Sequence, residues 1–153
     1  MTDINNTGAM TPEQIIDITK IAEKSLEEVE AVLGQADEIN RHQGYPRVEG
    51  FAEKAIFQRG KYEVIFAHGV ANRITIHSVP DFTTNIYALL AIGLKAAKPA
   101  FFNPSVVIRW EKTQGFDEIS FFTDFILIDT AKKEFAKRWV LANSKITMHL
   151  KSQ

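Results

Sequence analysis

The sequence predicts an α+β domain in which helices pack on one face of an antiparallel sheet. Three observations carry that prediction. The chain has 153 residues, about one domain's worth, with 45% hydrophobic and 24% charged side chains, ordinary values for a globular protein. Two stretches near the start have helical apolar spacing and marked ends. Two later stretches alternate in the two-residue rhythm of hairpins. On one reading the domain divides into two tandem helix-plus-hairpin half-units, 11–79 and 80–153. Ala31-Val32-Leu33-Gly34 precedes one hairpin and Ala91-Ile92-Gly93 precedes the other. Both hairpins have an aromatic (Phe66, Trp110) ahead of a turn glycine (Gly69, Gly115).

Residues 1–10 are polar and read as a disordered tail, with 11–153 as the single domain. Thr11 and Pro12 suit the cap and first position of a helix whose apolar face is Ile15, Ile16, Ile18 and Ala22. Ser25-Leu26-Glu27-Glu28 is a capping box, in which serine and glutamate satisfy each other's backbone N–H groups. Leu26, Val29, Val32 and Leu33 form the stripe of that second helix, and Gly34 closes it. Residues 35–53, with Gly44, Pro46 and Gly50, read as a long irregular excursion, a kind of connection that is often functional.

Residues 54–59 predict a strand, followed by the hairpin 62–76. A three-residue turn at Ala67-His68-Gly69 would pair Phe66 with Val70, Tyr62 with Ile74 and Glu63 with Arg73, which keeps one face apolar. Residues 86–94 carry a helical stripe of Ile86, Leu89, Leu90 and Leu94, and Pro99 follows it. Val106, Ile108 and Trp110 alternate, turn at 112–115 and continue in Ile119 and Phe121, a register that sets Arg109 opposite Glu118. Residues 125–129 predict a strand, 131–143 a helix or strand, and 146–150 a short last strand.

Lys24-Ser25-Leu26-Glu27-Glu28-Val29, then Val32-Leu33-Gly34, then Tyr62-x-Val64-x-Phe66-x-x-Gly69 resembles the β-lactamase-inhibitory-protein-like group. That group includes the small outer-membrane assembly lipoproteins of SmpA/OmlA type. The resemblance implies a helical pair on a small antiparallel sheet and use as a protein-binding surface rather than as an enzyme. Ala36 stands where that pattern has proline, and the chain has no cysteine to lipidate. No functional residue is carried over.

The absence of cysteine also removes disulfides, thiolate metal sites and a cysteine nucleophile. Phosphate-loop, dinucleotide, zincin and nucleophile-elbow motifs are absent, so no cofactor and no catalytic residue is assigned. His42, His68, His77 and His149 share no i, i+4 spacing, so no metal site is assigned either. No run approaches the 18 apolar residues of a spanning helix, and the first ten residues lack the pattern of a signal peptide. As written, the chain reads as cytoplasmic or as an exported form whose signal has been removed.

The formal charge of −1 hides a split. Residues 1–53 hold 11 acidic and 4 basic side chains, whereas 54–153 hold 8 and 14. Solvated surface charge accounts for most such asymmetry. Phe101-Phe102 and Phe121-Phe122 are aromatic doublets. On a strand, one member of each must face away from the core, which makes Phe101, Phe102 and Phe122 candidate contact residues. His42, Tyr45 and Arg47 in the polar excursion are the others. The leading expectation is a non-enzymatic module that binds another protein. The alternatives are a small-molecule pocket between residues 86–94 and the sheet, and nucleic-acid contact through Lys132, Lys133, Lys137 and Arg138. An amphipathic helix with a solvated basic face explains the last cluster more simply.

Overall fold

The computed structural model describes residues 11–43 and 51–130. Eight antiparallel strands dominate it: β1 Glu38–Gln43, β2 Phe51–Phe57, β3 Tyr62–Ala67, β4 Val70–His77, β5 Phe101–Asn103, β6 Val107–Thr113, β7 Phe116–Phe122 and β8 Phe125–Asp129. They form one sheet in the order β1-β2-β3-β4-β8-β7-β6-β5. The chain lays down four strands as a meander, crosses over, and lays down four more that run back to the middle, where β4 pairs with β8.

This sheet corrects the expected fold class. Helices laid on a sheet in tandem half-units are not what forms. Among the described residues there is one α-helix, α1 Leu26–Leu33, and the two halves share a single eight-stranded sheet. The helix expected over 12–22 contracts to one 3-10 turn, Ile18–Lys20. Its β-branched run of Ile15, Ile16, Ile18, Thr19 and Ile21 is a poor helix former. Asp17 draws the Thr19 N–H to its own carboxylate at 3.0 Å and starts a new turn mid-stretch. The helix expected over 86–94 is a 3-10 turn, Ala88–Ile92, ended by Gly93 at φ 81. α1 itself forms as the sequence predicts, with both capping-box bonds made at 3.2 and 2.9 Å and Gly34 beyond its last turn at φ 93.

The polar excursion is corrected as well. Residues 38–43 are edge strand β1, and β2 starts at Phe51, three residues before the expected strand. β1 holds a single large apolar side chain, Ile39, so alternation gives no signal there. The residues 1–10 read as a tail, the link 44–50, and the elements expected over 131–143 and 146–150 lie outside the described residues.

Strand alternation gives the sheet one buried face. Phe57, Val64, Ile74, Ile76, Ile108, Trp110, Ile119, Phe121, Ile126 and Ile128 lie on it. A cover of turns and short helices closes over them, led by Ile18, Ile21, Val29, Leu89 and Ile92. Backbone bonds fasten the cover: Ile15 N–H to Ala91 O at 2.7 Å, Glu23 N–H to Ala71 O at 2.9 Å and Ala71 N–H to Lys24 O at 2.8 Å. Trp110 fills the centre and donates its indole N–H to Ala97 O at 2.8 Å, so its one polar atom is satisfied where the ring is buried.

Register departs from expectation at both hairpins. In the first, Ala67 pairs with Val70 across a two-residue His68-Gly69 turn, and a bulge after Ile65 absorbs one residue of β4. The bulge restores the parity that a two-residue turn alone would break. Val64 thus meets Ile74, Tyr62 meets Ile76, and Glu63 meets Thr75 rather than Arg73. In the second, Gln114-Gly115 is the turn and Arg109 pairs with Ser120. That is two residues from the expected register, so the faces are unchanged.

Candidate functional site

The second face of the sheet faces away from the cover. Register places Lys54 and Ile56 of β2, Glu63 and Ile65 of β3, and Arg73, Thr75 and His77 of β4 on it. Phe125, Leu127 and Asp129 of β8, Glu118, Ser120 and Phe122 of β7, Arg109 of β6 and Phe101 of β5 continue it. Its side chains form three connected groups.

The first is ionic. Glu63 accepts from Lys54 Nζ at 2.9 Å through one oxygen and meets His77 Nε2 through the other. Partial burial pushes the Glu63 carboxyl up, but the hydrogen bonds and charges of Lys54 and His77 together outweigh it. The net effect holds the group below the usual carboxylate range. Arg73 donates to Asp129 at 2.7 Å, and the Asp129 side chain is only 4% exposed.

The second group is aromatic. His77 pairs directly with Phe125, ring centroids 6.2 Å apart, and Phe125 stacks on Phe122 at 4.5 Å with 16° between planes. The third group centres on Arg109. Its Nε donates to Ser120 Oγ at 3.0 Å, Glu118 lies 3.6 Å away, and its guanidinium sits 5.7 Å from the Phe101 ring centroid. Ser120 Oγ donates in turn to Glu118 at 3.3 Å. Neighbours hold each polar or aromatic group in place, so little rotamer freedom remains to be lost on contact.

Of the residues singled out from the sequence, Phe101 and Phe122 come together on this face. Phe102 projects to the opposite face at the β5 edge. His42 lies on β1, at the opposite edge of the sheet from β5, with six strands between. Tyr45 and Arg47, and the basic cluster at 132–138, lie outside the described residues. Phe125, His77, Glu63 and Arg109 complete the site and are not among the residues the sequence singles out. Their signal was present in the alternation of β8 and the two hairpins. It needed the β4–β8 pairing, which joins residues 56 positions apart, to become a surface.

The remaining geometry bears on the other readings. Ala88, Leu89, Ala91 and Ile92 are fully buried in the same cluster as Trp110 and Phe121, so protein side chains fill the space between that segment and the sheet. Recesses among the described residues include two on the cover side. One is about 260 Å³, lined by Arg41, Glu53, Phe66 and His68; the other is about 180 Å³, beside Gln114 and Phe116. Both fall below the roughly 300–1,000 Å³ usual for small-molecule sites. Among the described residues no group of three acidic or histidine side chains could hold a metal ion, and no helix is long and apolar enough to cross a membrane. Family models, curated proteins and solved structures give no match to this chain.

Proposed function

We propose that this chain is a non-enzymatic protein-binding module that engages its partner through the open face of the sheet. The observation that carries the reading is the joined strip His77–Phe125–Phe122 beside the Phe101–Arg109–Ser120–Glu118 group. Aromatic rings and arginine are the side chains that contribute most at protein interfaces, above all when neighbours already hold them in place. The charged groups at Glu63 and Arg73 flank the strip and supply hydrogen-bonding and orientation. A broad face of this kind suits a macromolecule better than a small ligand.

The test is affinity enrichment from source-cell lysate with the full chain, followed by calorimetry on the recovered protein. Phe122→Lys is expected to weaken binding more than about tenfold. Val32→Lys, on α1, is expected to leave it unchanged. A partner whose affinity is indifferent to Phe122→Lys would overturn the reading. So would a chain that recovers no specific partner.

A further inference from the structure

The two edges of the sheet are built differently. β1 carries Glu38 and Arg41, and Arg41 is exposed and paired with Glu53 at 2.8 Å. Charged side chains on an edge strand discourage another chain from adding to it. The β5 edge carries no charged guard; its brevity and its flanking Pro99 and Pro104 shorten the ladder it can offer without closing it. Residues 99–108, Pro-Ala-Phe-Phe-Asn-Pro-Ser-Val-Val-Ile, include no charged side chain in a sequence that is 24% charged. Seven large hydrophobic residues are exposed among the described residues. Three of them, Phe101 at 47%, Phe102 at 44% and Val106 at 53%, fall within six consecutive positions here. The other four, Val32, Ile39, Val70 and Ile86, are scattered along the chain.

The shape of this patch selects its occupant. Phe101 pairs with Arg109 and projects to the open face, whereas Phe102 pairs with Ile108 and projects to the cover side. The apolar surface therefore wraps around the rim of the sheet. A flat partner would cover one ring and leave the other in water. A strand added in the plane of the sheet covers both, because its own side chains alternate between the same two faces.

We infer that the β5 edge is a self-association surface, on which a second copy of this chain pairs its own β5 antiparallel about a two-fold axis through Phe102. In that register the two Phe102 rings meet on the cover side. On the open side Phe101 lies beside Asn103 of the second copy. Two-fold pairing brings a surface against itself, so any net charge on it would face like charge; the uncharged stretch 99–108 carries no such penalty. β5 is three residues long and is bracketed by Pro99 and Pro104, which limits the shared ladder. The contact therefore belongs to the small, weak class that buries under roughly 1,200 Å², with dimers forming at micromolar concentrations or above.

The test is sedimentation of the full chain from about 10 µM to about 1 mM, a span that brackets weak dimerisation. The mass is expected to rise from 17.3 kDa toward twice that value. Phe102→Lys and Val106→Lys are each expected to hold it at the monomer throughout, with circular dichroism confirming the fold. Phe102 projects to the cover side and Val106 lies in the turn after β5, so neither belongs to the open-face groups of the partner proposed above, and the result is independent of it. Val106 lies outside the strand ladder and remains informative if Phe102→Lys fails to fold. Val32→Lys is expected to associate like the parent. A parent that stays monomeric to about 1 mM, whether its edge is bare or serves another protein, overturns the inference. So does association that persists in both lysine variants.

Discussion

Gly93 holds the cover against itself, and replacing it with alanine separates two kinds of strain. Its φ of 81° lies in the left-handed region, where a side chain costs roughly 1–2 kcal/mol. A methyl at this position would also lie 2.9 Å from the Cα of Asp17, against an ordinary carbon contact of about 3.5–4.0 Å. The Asp17 backbone cannot simply retreat. Its carbonyl accepts from Lys20 N–H at 3.1 Å, Ile15 N–H is bonded to Ala91 O, and Ile18 and Ile21 beyond it are fully buried. Relieving the contact therefore drags packed groups, which adds about 1–3 kcal/mol by analogy with overpacked cores. Gly93→Ala is expected to lose about 3 kcal/mol in urea unfolding, or roughly 6–12 °C in Tm for a chain of this size. Gly115 is the internal control. Its φ is 87° but nothing lies within 4 Å of the added methyl, so Gly115→Ala is expected to lose only about 1 kcal/mol. Equal losses in the two variants, within about 0.5 kcal/mol, would refute the steric argument and leave only the backbone term.

Two further expectations follow from the same packing. Trp110→Phe removes the indole N–H that satisfies Ala97 O and leaves a void in the centre of the cluster, so it is expected to cost about 2–4 kcal/mol by urea unfolding; a loss under about 1 kcal/mol would show that the ring is not held as described. The Glu63 carboxyl titrates below its ordinary range in the folded state, so its contribution is present above that range and is lost as pH falls through it toward the depressed folded value. Glu63→Gln is expected to flatten the acid limb of the urea midpoint between about pH 7 and pH 3, and identical slopes in parent and variant would contradict the hydrogen-bonded cluster.

The strands with strong alternation were legible in the sequence. β8 has the predicted bounds, and the core residues of β3, β4, β6 and β7 lie on one face as expected, except that Val70 is exposed beside its turn and Val106 is exposed ahead of β6. Their register was not legible: the bulge after Ile65 leaves no mark on periodicity and shifts the β3–β4 pairings beyond it, and between β6 and β7 a two-residue turn replaces the expected four-residue one with no change of face. The helical readings failed for a different reason. Ile15, Ile16, Ile18, Ala22, Leu89 and Leu94 are apolar because they cover a sheet, and a buried irregular segment can mimic a helical stripe. α1 was readable because its ends are chemically marked at Ser25, Glu28 and Gly34. The open face was half readable. The doublets identified Phe101 and Phe122, but pairing between residues distant in sequence decided which side chains they would meet.

The seam between β4 and β8 sets an order on folding. Every other pairing in the sheet joins strands that follow one another in the chain, through turns as short as two residues. At the seam, Arg73 and Asp129 are 56 positions apart. Loop-closure entropy grows by about 0.6 kcal/mol for each doubling of loop length, so this pairing costs roughly 2–3 kcal/mol more than a hairpin before any contact offsets it. Each meander can nucleate within its own stretch of chain, but the continuous sheet exists only once the seam has closed. The open face inherits that dependence, since the His77–Phe125 contact spans the seam. A chain with both meanders formed and the seam open would have the strands of this protein without its surface.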